Sequence, residues 1–456
     1  MLSMNKFVPA WVLLLILLLG ALFSLFFGWS IVRTLDDNKG GRFGKMAVEI
    51  ASFPTLAKSV FDDLSVDLFN KDYLIRVPGS RENLSEYTQI KSNAGVDVSG
   101  LIVHADKSAL SRAPGWRILV GAFTINGELK NAALALSPEL SIEKVWILTE
   151  QEINGTKPRA PHRKFIHGFD ILKDGSVIFS FDGGMSLQRF DQCSTPVWAI
   201  DGNFHHAVSL TEDEKYVWTL LDGGKVVKVS TATSEISRQF TMQEIIAANP
   251  QIDILEIRKH LDSDLGGNSR NTHGNWLKDH FHLNDVDPLP ASLVDRFDGF
   301  EAGDLLVSAR SLNLVFVVDP DTLIVKWWRI GATRRQHDPD WSHTGEITVF
   351  DNRMGRDFSQ IVSLSPTSYT TKVLHDGRKN NFYSRIRGKH QITRDGNLLI
   401  TSSQQGRVFE LGANGKIILD IHNTKPGNDE FNFVLSQAIW LPLDTFNFQE
   451  DKSCKN

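Results

Sequence analysis

Cysteine is scarce in this chain. Its 456 residues include two, Cys193 and Cys454, so a disulfide-stapled scaffold is excluded. One bridge is the most they can make, and Cys454 sits in a polar tail. An excess of either charge is also missing: the net charge is −5. A nucleic-acid partner calls for a basic patch, and none is expected here. Several signatures of catalysis are absent as well. There is no glycine-rich phosphate loop, and the Gly-Gly pairs at Gly183 and Gly223 sit in hairpin-like contexts. There is no GxSxG nucleophile elbow, no HExxH helix and no cysteine cluster. A lone HxH pair, His280 and His282, with Asp285, Asp338 and Asp340 in neighbouring polar segments, is the pattern a metal-dependent hydrolase or lyase would be built on. The reading adopted assigns no metal and no cofactor.

Charge is missing from one long run. From Phe7 to Val32 the sequence "FVPAWVLLLILLLGALFSLFFGWSIV" carries none. About 20 apolar residues in a helix cross the hydrocarbon core of a bilayer, and this run is longer. Trp11 and Trp29 lie near its ends, where indoles favour the interface. A cleavable signal has a shorter apolar region and a small-residue cleavage site, and "SIVRTL" is a poor one. Residues 1–32 are therefore expected to be an uncleaved single transmembrane helix. Lys6 alone precedes it, whereas Arg33, Lys39, Arg42 and Lys45 follow. Counted strictly, the positive-inside rule would keep the large domain in the cytoplasm.

Residues 33–110 read as a polar, partly helical connector, with "KMAVEIASFPTLAKSVFDDL" at helical spacing broken by Pro54. From about Trp116 the texture changes. Short apolar runs such as "WRILVGAF", "DGSVIFSF" and "GDLLVSARSLNLVFVVDPDTLIVKWW" alternate with Gly, Asp and Asn turns. Six such units share one plan of turn, strand, turn and strand. That pattern fits an all-β fold, a six-bladed β-propeller of four-stranded blades, over residues 111–456. An insertion at about 231–300 includes the helical pattern "MQEIIAANPQIDILEIRKHL".

Four polar segments place histidines at or just before a strand: "GNFHHAVSL" (His205, His206), "DHFHLNDVDPLP" (His280, His282), "QHDPDWSHTGEI" (His337, His343) and "RGKHQITRDGNLLI" (His390). A single histidine there more often caps a turn. Recurring ones converge at one end of a propeller channel.

In order, "HLNDVDPLP", "GDLLVSARSLNLVFVVDPDTLIVKWW", "QHDPDW…GEITVFDNRMGR" and "HQITRDGNLLITSSQQGRVFEL" resemble the bacterial arylsulfotransferases of the aryl-sulfate-dependent type, over roughly residues 165–425. The resemblance implies a six-bladed propeller that moves a sulfuryl group from a phenolic sulfate ester to another phenol. It also implies a sulfated histidine and no nucleotide sulfate donor. His282 matches the H-x-N histidine, His337 the Q-H histidine, and Arg356 the arginine after F-D-N. His390 is the candidate nucleophile. His206, Asn284, Arg310 (in S-x-R) and Arg353 are the candidate substrate-binding residues. The chemistry is apt: an imidazole nitrogen attacks sulfur and leaves again, a second imidazole serves the departing phenolate, and guanidinium forks suit sulfuryl oxygens. The implied partners are small phenolic sulfate donors and acceptors and the membrane, with room for a homo-oligomer. Against the charge count, the resemblance places the propeller on the periplasmic side of a bacterial cytoplasmic (inner) membrane. The competing expectation is a non-catalytic membrane-anchored propeller that binds partners or glycans.

Overall fold

A computed structural model describes residues 9–37, 41–44, 46–48, 50–51, 74–76, 86–150, 165–181, 186–255, 281–446 and 454. The contacts divide the chain into two units. One comprises residues 1–68 and 253–278, the other 69–252 and 279–456.

The first unit holds a single long helix, Ala10–Asp37. Its stretch Ala10–Thr34 has a mean hydropathy of 2.7, and within it Ser30 and Thr34 are buried while most of the apolar side chains are exposed. At 1.5 Å per residue its 25 residues are about 37 Å long, enough to cross a bilayer. At its far end the Arg33 guanidinium lies over the Trp29 ring at 5.0 Å, a pairing suited to the headgroup level.

The second unit is all-β and propeller-like. Its strands form antiparallel meanders, because Gly-containing turns recur every few residues between β-branched and aromatic runs. At one of them, "TRDGN", Gly396 adopts φ +80 and the Gly396 N–H donates to the Thr393 carbonyl, which returns Leu398–Ser402 onto the preceding strand. Four sheets are simple four-stranded meanders. Their first strands are β1 (Ile166–Ile171), β2 (Phe204–Leu210), β3 (Leu283–Pro288) and β4 (His337–Trp341). A further sheet begins at β5 (Lys389–Ile392). In the remaining sheet the corresponding position is taken by the C-terminal strand β6 (Leu435–Leu441), which pairs with Trp116–Ile125. Each of these strands neighbours the next, and β6 neighbours β1, so they line one channel.

Neighbouring sheets pack face to face through apolar side chains. Phe169 and Phe179 meet Ile118 and Val120, and Val349 and Val362 meet Leu306 and Val315. Phe350 and Ile361 meet Ile400 and Phe409. Arg117 is also buried, its charge matched by Glu410 at 2.7 Å.

Two expectations need correction. The segment before residue 110 is not only a connector. Leu101–Ala105 pairs with Ile417–Lys425, Val98–Ser99 pairs with Trp116–Ile125, and Leu74–Arg76 pairs with Asn428–Phe433. These strands, of five, two and three residues, are too short to show a period, and the sheet edges they cover dictate their conformation. The insertion is also narrower than 231–300, since Ile236–Thr241 completes the sheet begun by β2. Met242–Ala248 is then a helix with a Thr241/Glu244 capping box. Cys193 and Cys454 are joined in a disulfide that ties the C-terminal tail to the sheet begun by β1.

Candidate functional site

Five of the six channel-lining strands carry a β-bulge near the start. In β1 the pairing passes from Ile166 to Gly168 and leaves out His167. In β3 it leaves out Asn284, in β4 Asp338 and in β6 Ser436, and in β2 it leaves out His206 and Ala207. A bulge re-aims the extra residue and breaks the alternation of faces. β5 pairs without interruption. There the chain is turned just before the strand, by Arg387 at φ +61 and Gly388 at φ +105. His206, His282 and Asp338 also adopt left-handed backbone, at φ +66, +48 and +53. Such residues each cost about 1–3 kcal/mol and persist where the surroundings over-determine them.

The bulges divide the channel into two zones of opposite character. A cavity of about 20 Å³ is lined by His167, His206, Asn284, His337, Arg387 and Ser436, among others. The rings of His167 and His206 are 4.0 Å apart, and those of His206 and His282 are 5.3 Å apart. Hydrogen bonds fix the imidazoles. Asn352 gives both amide protons to backbone carbonyls of Ser384 and Arg387, so its Oδ1 accepts from His337 Nδ1–H at 2.7 Å. The lone pair of His337 is therefore on Nε2, where the Arg387 N–H reaches it at 3.2 Å. Similarly, the Gly223 N–H donates to His205 Nε2. His205 Nδ1–H then donates to His206 Nδ1, which leaves the His206 proton on Nε2. Arg310 Nη1 donates to His282 Nε2 at 2.8 Å. Burial lowers the pKa of both His206 and His337 well below 6.5, with His167 adding to the effect at His206 and Arg310 to that at His337. Both imidazoles are neutral at pH 7.

The second zone is a cavity of about 300 Å³. Asp170, Asp285, Asp287, Asp338 and Asp340 line it, with Lys389 and His390. Lys389 and Asp285 line both cavities. The Lys389 ammonium bridges Asp285 at 2.8 Å and Asp338 at 2.7 Å. Burial opposes that charge, but the two carboxylates outweigh it and raise the lysine pKa well above 10.5. Burial would also raise the pKa of Asp338, yet Lys389 and the His390 hydrogen bond hold it at about 2. Burial pushes Asp170 up to about 6, and burial with neighbouring carboxylates pushes Asp287 and Asp340 well above 3.8. Asp338, Asp340 and His390 hold ligand atoms within 4.8 Å of one another. A cation there competes with Lys389 and His390 for both oxygens of Asp338. His280, the other half of the HxH pair, lies outside the described residues.

The structure brings together His206, His282, Asn284, Arg310 and His337. It sets His390 apart: Nδ1 is bonded to Asp338 Oδ2 at 2.9 Å and Nε2 to Thr348 Oγ1 at 2.9 Å, and the side chain is wholly buried. Both ring nitrogens are engaged, as they are at His337, but His390 lines the acidic zone and not the cavity of the other imidazoles. Without a bulge in β5, its histidine falls one step out of phase with the others. Arg356 is exposed in the turn after "FDN", and Arg353 packs over Phe358 beside Asp351; neither lines either cavity. Arg310 bonds His282 and is the cation acting on His337, whereas Arg387 meets His337 through its backbone N–H and lays its guanidinium over the Phe165 ring at 4.4 Å. Sequence reasoning missed His167, Arg387, Lys389 and Asn352. For His167 a signal existed: "FIHGFDI" repeats the histidine-before-strand pattern of the other units.

Among solved structures, the chain is similar to a protein of unknown function from Bacteroides caccae. The identity is 11%, covering 72% of this chain and 99% of that one, with a TM-score of 0.47. It is also similar to a virginiamycin B lyase from Staphylococcus aureus at 10% identity, covering 71% and 88%, with a TM-score of 0.38. No protein of curated function matches. The profile of the Arylsulfotransferase (ASST) family matches residues 168–424, more than half of the sequence, from within β1 to beyond β5, and the chain belongs to that family.

Proposed function

We propose that this is a membrane-anchored sulfotransferase on a six-bladed propeller, which carries a sulfuryl group from an aryl sulfate ester to a phenol through a sulfated histidine, His337. The observation that carries the assignment is the Asn352–His337 bond, which puts the neutral lone pair on Nε2 at the wall of the cavity; the Arg387 N–H that reaches it at 3.2 Å gives way when sulfur is attacked. In the first step Nε2 attacks sulfur. The S–N bond forms, the ester S–O bond breaks, and the electron pair leaves on the phenolate, which takes a proton from solvent. His206 Nε2–H donates a hydrogen bond to the departing oxygen. Arg387 and Lys389 balance the sulfuryl oxygens. In the second step a phenol oxygen attacks sulfur, the S–N bond breaks, and the phenolic proton passes to solvent. His282, held by Arg310, completes the wall of imidazoles.

Location follows the same reading. The disulfide supports an oxidising compartment, since cytosolic thiols are kept reduced. The helix Ala10–Thr34 then anchors the enzyme with its catalytic domain outside the cytoplasm. The test is intact-mass measurement after incubation with a chromogenic aryl sulfate and no acceptor. Wild type is expected to gain one sulfuryl group and release one equivalent of phenol, and His337→Ala neither. Labelling of His337→Ala and not of His390→Ala would return the nucleophile to His390.

A further inference from the structure

The net charge of −5 conceals a strong polarity along the channel. In a four-stranded antiparallel meander the first and third turns fall at one end. The second turn and the link to the next sheet fall at the other. In the sheets begun by β3 and β4, the segments at the first end are 289–304, 319–324, 342–346 and 365–370, and they carry seven acids and one arginine. Those at the second end are 310–313, 331–336, 352–359 and 376–388, and they carry nine arginines and lysines and two acids. The basic end is where the channel strands begin and the imidazoles lie. Its Arg310 bonds His282, and its Arg387 lines the smaller cavity. The four basic segments form one surface. The Arg353 N–H donates to the Arg334 carbonyl at 3.1 Å, the Gly355 N–H to the Tyr383 hydroxyl at 3.3 Å, and Arg335 Nη1 to Ser311 Oγ at 3.3 Å. The guanidiniums of Arg353 and Arg378 both lie over the Phe358 ring, at 4.8 and 4.6 Å. Arg334, Arg356 and Lys379 are exposed, and their side chains have neither a hydrogen bond nor an ion pair among the described residues. Trp328 and Ile330, on the strand that leads into 331–336, are exposed as well.

Unpaired cations on one end of a molecule whose other end is acidic call for an anionic partner that acts on the whole domain. We infer that the basic end docks on the anionic headgroups of a lipid bilayer, so that the imidazole site faces the membrane and the acidic end faces away. Three observations favour a lipid surface over a soluble polyanion. The first is the polarity itself: a charged plane attracts one end and repels the other, whereas a small anion needs no such division. The second is Trp328 and Ile330 beside the arginines, since indole and guanidinium together suit the membrane–water interface. The third is the tether. Fewer than 40 residues separate Asp37, the last residue of the apolar helix, from Leu74, in the first described strand of the β unit. Docking is then an intramolecular event and needs little affinity of its own. Each basic side chain near an anionic surface strengthens binding about fivefold, so three free ones suffice. The inference rests on the membrane-anchored part of the reading above and not on its chemistry. Phenols gather in the same headgroup layer, with an apolar body and a polar tip, and a site turned to that layer meets them there.

The test uses the full chain reconstituted in vesicles. Its two cysteines are joined to each other, so a cysteine introduced by Met354→Cys at the basic end, or by Ala302→Cys at the acidic end, is the sole thiol open to a fluorophore. Quenching by a headgroup-labelled lipid then reports which end lies near the bilayer. In phosphatidylcholine vesicles that contain phosphatidylglycerol, the label at 354 is expected to be quenched several-fold more than the label at 302. The difference is expected to vanish without phosphatidylglycerol and to fade in high salt. Arg334→Glu with Lys379→Glu should abolish it while leaving the melting temperature unchanged. Equal quenching at the two ends, or stronger quenching at 302, overturns the proposal, and that comparison stands even where the double variant does not fold. A difference of the same size without phosphatidylglycerol also overturns it. Capture of dextran sulfate with no difference between the ends would assign the surface to a soluble polyanion and overturn it too. Release of wild type from membranes by alkaline carbonate would sink the anchor instead. Flotation of the released protein with phosphatidylglycerol vesicles and not with phosphatidylcholine ones would then still uphold the basic end as a lipid-binding surface, and no flotation would overturn it.

Discussion

At the scale of single residues, the site works by deciding where protons are. Asn352 is the sharpest case, since its carbonyl oxygen sets the His337 tautomer. Asn352→Leu is expected to leave His337 in place but free to turn, and to slow sulfuryl loading by about 10²-fold, the size of a lost positioned acid–base group. Burst kinetics against an unchanged donor affinity checks this. The depressed pKa values of His206 and His337 make a second prediction. Both fall below the unfolded value of 6.5, so the unfolded chain binds more protons as the pH drops through that value. Their contribution to stability therefore declines below about pH 6.5 and goes on declining until the folded-state pKa values are passed, while the raised carboxyls of Asp170, Asp287 and Asp340 act in the opposite sense. The histidine part is read by difference: between pH 7.5 and 5.5 the denaturant midpoint of wild type should change less favourably than that of His206→Gln. Single residues were partly legible in the sequence. His206, His282 and His337 could be named because imidazoles recur before strands, and Asn284 and Arg310 through the H-x-N-D and S-x-R runs of the resemblance. Asn352 and Lys389 could not, because an asparagine that fixes a tautomer looks like any turn asparagine, and a lysine bridging two aspartates looks like any surface lysine.

At the scale of elements, the bulges decide which face a side chain joins. A period-two reading of "HLNDVDP" or "HQITRDG" assumes an unbroken ladder. His390 was grouped with the other histidines because it too stands at a strand entry, but the other five channel strands carry a bulge near that point and β5 does not. The strands themselves and their turns were legible, since apolar runs and Gly-Asp-Asn breaks are local. β5 gets its aim from the turn before it. Gly388 at φ +105 lies so close to the Phe350 ring that a Cβ would strike it. Gly388→Ala should force that segment to shift, at a cost of about 1–3 kcal/mol, and should displace Arg387 and Lys389 together. The expected result is a lower melting temperature with a loss of sulfuryl loading larger than that of Arg387→Ala alone. Wild-type loading in Gly388→Ala would show that the turn does not position either cation.

At the scale of the whole molecule, the Cys193–Cys454 bridge spans 261 residues of sequence. Constraining so long a loop is worth about 2–5 kcal/mol. Cys454→Ser should lower the melting temperature without changing the burst, and reducing agent should have the same effect on wild type and none on the variant. The orientation of the anchor has its own check: a reporter fused after residue 456 should be active only in the exported state. Cytoplasmic activity would reverse the assignment and leave the disulfide unexplained. The pairing of the ends has a different bearing, on how the protein is made. Trp116–Ile125 is made well before its partner, yet most of one of its edges is completed only by β6, Leu435–Leu441. Until β6 has been made that edge is an open row of backbone donors and acceptors, the kind that recruits foreign strands.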